Sequence, residues 1–290
     1  MPSIPDGFVI VERGPTRLYL RATHAEALLG IQIQRVSEWV DKHPWSAGGT
    51  GRGSLARLHP GLPGGSALII KKYRHGGLLG RLFSSRYLSP RRALRAIAAS
   101  DAARRAGVPV PLVVAGAAQR AFPFGCRLYE VSVEISGAEP LDRALGLGAA
   151  AGPALAAGVR SRRRLLIEAC ARSVRTLHDA GIDHRDLNLA NLLAASGPAG
   201  PSVHVIDFDA ARTRAPLTSR RRLAALHRLY RSAVKLHPRR EPPRPLTQMR
   251  WLKAYCAGDA RLERYLLERR GSFARRARWH QLLWKRRNGN

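Results

Sequence analysis

Apolar positions recur at helical spacing in some stretches and at strand spacing in others, and this order predicts most of the elements. Leu29, Ile33, Val36 and Val40 share a face and predict one amphipathic helix over His24–His43. A glycine cluster, GGTGRGS, ends at Ser54. Leu55–His59 reads as a short strand, the turn PGLPGG follows, and SALIIKKY at Ser66–Tyr73 reads as a buried strand ending in lysines. Ser89-Pro90 supplies a cap and a first-turn proline to the helix RRALRAIAASDAARRA, which stops at Gly107. The prolines of VPVP then force extended backbone. Tyr129, Val131, Val133 and Ile135 alternate within Leu128–Ile135, a half-buried strand broken at Gly137-Ala138-Glu139-Pro140. A subdomain boundary is expected near Ile135–Pro140.

Beyond it, Gly146–Val159 is rich in Ala and Gly and reads as a loop or irregular helix. Leu166, Cys170, Val174 and Leu177 share one face and predict a helix over Arg162–Ala180, ended by Gly181. The segment IDHRDLNLANLLAA follows, then a Gly/Pro/Ser turn and an apolar strand, VHVIDF, at Val203–Phe208. Ser219–Lys235 and Arg250–Arg287 are helical in pattern and strongly basic. No internal repeat is visible.

At 290 residues and 45% apolar, the chain is too apolar and varied to be disordered. Cys126, Cys170 and Cys256 are too scattered for a disulfide framework or a zinc site, and suggest buried thiols in a reducing compartment. No stretch approaches the roughly 20 apolar residues that span a bilayer. The start, MPSIPDGFVIVERG, lacks the basic and apolar regions of a signal peptide, so a soluble cytoplasmic protein is expected. Fifty Lys and Arg against 20 Asp and Glu leave a net charge of +30. Only six of the 50 are Lys, and an Arg, Ala and Gly bias of this kind often accompanies a GC-rich genome. The imbalance still favours a polyanionic partner: a phosphorylated substrate, an anionic membrane surface or nucleic acid. No nucleic-acid module accompanies the charge, so no specific nucleic-acid partner is expected.

The chemistry is concentrated in His184-Arg185-Asp186-Leu187-Asn188-Leu189-Ala190-Asn191. A carboxylate and a carboxamide five positions apart suit phosphoryl transfer: Asp186 orients a hydroxyl proton and Asn191 ligates a metal. Asp207, at the end of the VHVIDF strand, is a second hard-oxygen ligand for Mg²⁺. HxDxxxxN followed by a strand ending in Asp207-Phe208-Asp209 matches the signatures of the protein-kinase-like superfamily. Upstream, Gly51, Arg52, Gly53 and Ser54 could lay backbone N–H groups over phosphates. Lys71 or Lys72 follows an apolar strand, as in V-A-I-K, and matching LIIK to that pattern selects Lys71. Asn188 stands where protein kinases place a basic residue, and no A-P-E follows Asp207; both point to a small-molecule or glycolipid acceptor.

H-x-D-L-N-x-x-N-x-L followed by I-D-F-D resembles the bacterial lipopolysaccharide kinases, especially the 3-deoxy-D-manno-octulosonic acid (Kdo) kinases. Gly51-Arg52-Gly53, Tyr73-Arg74-His75-Gly76-Gly77, Arg86-Tyr87-Leu88, Gly107-Val108-Pro109-Val110-Pro111 and Leu226–Lys235 (LHRLYRSAVK) resemble further family segments. The resemblance covers roughly residues 45–240. It implies an α+β, bilobal protein-kinase-like fold with a β-rich N-lobe (45–136) and a helical C-lobe with a basic tail (137–290), after an N-terminal extension with a helix (1–44). It implies ATP and Mg²⁺, and γ-phosphate transfer to a sugar hydroxyl of lipid A–Kdo at the cytoplasmic face of the inner membrane. Asp186 is then the catalytic base, Asn191 and Asp207 the metal ligands, and Lys71 and Gly51–Ser54 the nucleotide contacts. Aligned on Gly107, the helix position at which the family supplies a glutamate is Ala96, and Asp101 lies more than a turn further on. A family Trp and Asn are also absent, with Ala225 at the Asn position. A kinase of another small molecule, or a non-catalytic pseudokinase binding nucleotide or lipid, is the alternative. Trp251, Tyr255, Tyr265, Trp279 and Trp284 among the tail arginines suit an anionic membrane surface; the other reading is that these aromatics pack on the C-lobe while the arginines face water.

Overall fold

The computed structural model describes residues 4–45, 55–59, 65–74, 85–147, 157–198, 200–214, 216–237, 241–273 and 275. The chain divides into two compact units, Met1–Arg105 with Val110–Ser136, and Ala106–Pro109 with Gly137–Asn290.

The first unit is built on one antiparallel sheet. Its strands are β1 (Phe8–Arg13), β2 (Thr16–Arg21), β3 (Pro44–Trp45), β4 (Leu55–Leu58), β5 (Leu68–Lys72), β6 (Arg86–Tyr87), β7 (Val113–Arg120) and β8 (Cys126–Val133). Their order is β1-β2-β7-β8-β5-β4-β3, with β6 paired to β8. One face buries Leu18, Leu20, Ile70, Tyr129 and Val131 against Leu28, Ile33, Val36 and Val40. These last four lie on α1 (Ala25–Gly30), a 3-10 turn (Ile33–Arg35) and α2 (Val36–Lys42).

The helix predicted over His24–His43 is therefore broken. Gln32 takes a left-handed φ of 58°, and the break turns Leu28 rather than Leu29 fully inward. The residues ahead of 45, expected to form an extension, contribute β1 and β2 to the same sheet. Helix α3 (Arg91–Arg105) follows Ser89-Pro90, and its Ile97 lies over Gly116 of β7. A Cβ on Gly116 would stand 2.6 Å from Ile97 Cδ1, so glycine permits this close approach.

In the second unit β9 (Glu139–Pro140) leads into the short α4 (Leu141–Ala144), and the long α5 (Ala157–Asp179) follows. Next come β10 (Ile182–Asp183), β11 (Leu192–Gly197), β12 (Gly200–Val205), β13 (Arg212–Thr213), α6 (Ser219–Leu236), α7 (Pro245–Cys256) and α8 (Ala260–Glu268). Leu166, Cys170, Val174 and Leu177 are buried as their spacing predicts, and α5 packs on α7 and β12. His178 near the end of α5 bonds Tyr255 Oη through Nδ1 at 2.7 Å. Burial lowers the His178 pKa to about 3. The three cysteines are free and buried. No helix among the described residues is long and apolar enough to cross a membrane.

Candidate active site

Gly181, at φ +72°, ends α5 and lets the chain turn through β10 into the His184–Asn191 loop. The loop is stitched to the segment carrying Asp207. His184 is buried, and its Nε2 donates to the Ile206 carbonyl at 3.0 Å. A carbonyl only accepts, so the proton sits on Nε2, and burial lowers the ring's pKa and keeps it neutral. The ring stands edge-on to Phe208, centroids 5.3 Å apart. Ile206 N donates back to Asn191 O at 3.0 Å. Ile206 is thus gripped from both sides, immediately ahead of Asp207. Asp207 adopts φ 65° and ψ 65°, a left-handed conformation that a non-glycine residue keeps only where its surroundings impose it.

Asp186 is exposed and accepts one amide on each carboxylate oxygen. Asn188 Nδ2 lies 3.0 Å from Oδ1, and Asn191 Nδ2 lies 3.2 Å from Oδ2. The same amides donate to the Asp186 carbonyl at 3.0 and 2.8 Å. Asn188 Oδ1 in turn caps the 3-10 turn Leu189–Asn191 by accepting from Ala190 N at 2.9 Å. Each carboxylate oxygen retains a further lone pair with which to receive a hydroxyl proton.

Because Asp186 can only accept, Asn191 must turn its nitrogen toward it. That leaves Asn191 Oδ1 as the hard oxygen available to a cation. Among the described residues no group of three or more His, Cys, Asp or Glu is arranged for a closed metal site. The carboxamide oxygen of Asn191 and the carboxylate of Asp207 are hard donors of the kind Mg²⁺ would take, with water and phosphate oxygens completing its shell.

Helix α6 braces the loop through residues to which the sequence assigns no role. Ser232 Oγ accepts from Leu189 N at 3.0 Å and donates to Leu229 O at 2.7 Å. Arg228 Nη2 donates to the His184 carbonyl at 3.3 Å. Both sit in LHRLYRSAVK, and their four-residue spacing, which places them on one helix face, is the signal that could have revealed them. The buried Asp183 carries three guanidiniums: Arg221 at 3.3 Å, Arg228 at 3.7 Å and Arg185 at 3.9 Å. One carboxylate against three arginines leaves a positive collar beside the loop.

In the first unit, Lys71 is in register with Glu130, and Glu130 with Gly116. Strand alternation places Lys71 on the face covered by α3, and Lys72 on the opposite face with Ile70. Tyr73 Oη donates to Glu130 Oε2 at 2.8 Å, and Lys71 Nζ stands 5.0 Å from the centre of the Tyr73 ring. Ala96 on α3 is 1% exposed and brings no charge. Asp101 is held by Arg21 at 2.7 Å, Arg105 at 3.0 Å and Arg104 at 3.5 Å. The carboxylate nearest Lys71 in register is therefore Glu130, which sequence reasoning missed; only the strand pairing reveals it. Gly51, Arg52, Gly53 and Ser54 lie outside the described residues.

These features define a kinase-like fold with a kinase-type catalytic loop. A family model described as the lipopolysaccharide kinase (Kdo/WaaP) family matches residues 38–255, and the chain belongs to that family. The 3-deoxy-D-manno-octulosonic acid kinase of Stenotrophomonas maltophilia (strain K279a) is 32% identical over 178 residues, 60% of this chain and 64% of that protein. The chain thus matches a little under two thirds of that relative's length. The enzyme of the same name from Xylella fastidiosa (strain M12) is 29% identical over 234 residues, 75% of this chain and 84% of that one. A solved structure of WaaP in complex with acyl carrier protein superposes with a TM-score of 0.55 at 22% identity, covering 83% of this chain and 90% of that one. That likeness is one of fold.

Proposed function

We propose that the chain is an ATP- and Mg²⁺-dependent kinase that phosphorylates a sugar hydroxyl of the lipopolysaccharide inner core on lipid A. Kdo is the favoured acceptor and heptose the other. The observation that carries this reading is the loop in which Asn188 and Asn191 hold both oxygens of Asp186. Asp186 receives the proton of the acceptor hydroxyl while the sugar oxygen takes the phosphoryl group from the departing ADP. Asn191 and Asp207 would hold Mg²⁺, which neutralises phosphate charge when bound. Lys71 contacts the nucleotide phosphates, and Gly51–Ser54 covers them. Family membership and the Kdo kinase relatives support the acceptor class.

Kdo is a sugar acid, and a carboxylate beside the reacting hydroxyl suits the collar of Arg185, Arg221 and Arg228. Heptose offers no such anion. The acceptor lies in a membrane, so the enzyme works peripherally at the cytoplasmic face of the inner membrane. Ala96 supports a second reading, a nucleotide- or lipid-binding protein without transferase activity. Glu130 weighs against it, because it supplies a carboxylate on the face that Lys71 occupies. The test is an acceptor series comparing Kdo-bearing lipid A precursor, the same lipid carrying heptose, a free sugar and an aminoglycoside. Label should enter the Kdo-bearing lipid first; a free sugar or aminoglycoside labelled as fast would remove the glycolipid assignment.

A further inference from the structure

The tail aromatics expected at a membrane surface are in part otherwise engaged. Tyr255 is 0% exposed and bonded to His178, and Trp251 stacks on it at 5.0 Å and 13°. Trp279 and Trp284 lie outside the described residues. Among the described residues the two most exposed large apolar side chains, Phe122 and Leu88, sit with Phe124 at one end of the sheet in the first unit, while Leu246 stands alone on α7. Ala121–Gly125, AFPFG, joins β7 to β8, and Ala121 N donates to Gly125 O at 3.0 Å to close the turn. Phe122 is 91% exposed and Phe124 50%. Pairing of β6 with β8, Arg86 to Arg127 and Tyr87 to Cys126, brings Leu88, 88% exposed, level with Gly125. A Cβ on Gly125 would stand 2.7 Å from Tyr87 O, so this closeness requires glycine.

Cations surround the tip. Arg120, Arg127 and Arg86 flank it on β7, β8 and β6. Arg120 N donates to Pro15 O at 2.8 Å, which brings in the β1–β2 turn with Arg13 and Arg17. Glu12, the acid on that hairpin, is bound to Arg17 at 2.5 Å. Exposed phenylalanine and leucine inside an arginine rim have the composition of a segment that enters the headgroup layer of an anionic bilayer.

We propose that the β7–β8 tip, with Leu88, is a wedge that seats the first unit on an anionic lipid surface. The proposal rests on the reading that the acceptor is membrane-borne. The test is co-sedimentation with vesicles of phosphatidylethanolamine and phosphatidylglycerol, and with neutral phosphatidylcholine vesicles. Wild type is compared with Leu88→Ser/Phe122→Ser/Phe124→Ser. Wild type should sediment with the anionic vesicles and not the neutral ones, and the triple variant should bind about tenfold less. Phe122→Ser alone, at a side chain almost fully in water, tests the same point without risk to folding and should weaken binding severalfold. Phe122→Trp should show blue-shifted emission on the anionic vesicles. Transfer to detergent-dispersed acceptor should survive in the triple variant while transfer to vesicle-embedded acceptor falls. Equal sedimentation of wild type and triple variant would overturn the wedge and leave the membrane reading standing. No sedimentation of wild type with either vesicle would overturn both. Equal binding to neutral vesicles, or a wild-type dimer that the triple variant dissociates without lipid, would overturn the anionic-surface assignment.

Discussion

Glu130→Gln removes one negative charge opposite Lys71 and leaves an amide oxygen to accept the Tyr73 hydroxyl. Cross-strand neighbours stand about 5 Å apart, and at an effective dielectric of about 20 two unit charges there interact by about 3 kcal/mol. Both residues are half-buried, and solvent reduces this to about 1–2 kcal/mol. In the proposed reading, in which Lys71 contacts a phosphate, a lysine that has lost its Glu130 partner also has up to about 2 kcal/mol of rotamer freedom to lose. A loss of about 1–2 kcal/mol of positioning lowers kcat about 5- to 30-fold. If Lys71 holds the nucleotide phosphates as proposed, Glu130 would also repel them, and removing it would relieve that repulsion. The KM for ATP should therefore move less than threefold. The assay is steady-state phosphate transfer by wild type, Glu130→Gln, Lys71→Ala and the double variant, with thermal unfolding alongside. The double variant should be no slower than Lys71→Ala, because Glu130 acts through Lys71. A Glu130→Gln enzyme with wild-type kcat, or a double variant whose losses multiply, would refute the pairing.

Ser232→Ala leaves Leu189 N without its acceptor beside Asp186, and should cost about 1–2 kcal/mol of stability with a larger proportional fall in kcat than in acceptor affinity; urea unfolding and kinetics separate the two. Gly116→Ala should destabilise by about 1–3 kcal/mol, because the new methyl meets Ile97 Cδ1; the midpoint of thermal unfolding reports it. His178 has a folded pKa near 3, below its ordinary value of 6.5, so the unfolded chain takes up the proton first as pH falls. Its neutral, buried state therefore adds no pH dependence above about 6.5 and costs stability progressively between about 6.5 and 3, on the order of 5 kcal/mol in all. Urea midpoints for wild type should fall across that window more steeply than those for His178→Gln, and parallel curves would contradict the assignment.

Much of the fold was readable because the relevant elements carry a local signal. α5 and β8 carry a periodic apolar face, α3 opens on a Ser-Pro cap and β5 is an apolar run, and each forms close to its predicted place. β7 was not readable: VVAGAAQR buries its first six residues, so alternation is lost, and Ala and Gly carry little strand preference. The break at Gln32 was hidden for a different reason. A single left-handed residue resets the helical face, and nothing in the residue type announces it. The hydrogen-bonded arrangement of the His184–Asn191 loop was legible because its residues are close in sequence and their contacts depend on that spacing. Glu130 was not, because its relation to Lys71 is one of strand register across more than 50 positions. Helical spacing could not separate the buried Tyr255 and the half-buried Trp251 stacked on it from residues free to meet a membrane. Phe122 and Phe124 lacked any periodic signal, and became conspicuous only once the hairpin exposed them.

The measurement that bears most directly on the central claim is phosphate transfer from labelled ATP, with Mg²⁺, to Kdo-bearing lipid A precursor in detergent. Wild type and Asp186→Ala are compared at matched thermal stability. Label in the lipid with wild type, reduced at least a thousandfold in the variant, is the result expected of a kinase whose base is held by Asn188 and Asn191. Equal label with both proteins, or none with wild type while it still binds nucleotide, would contradict it.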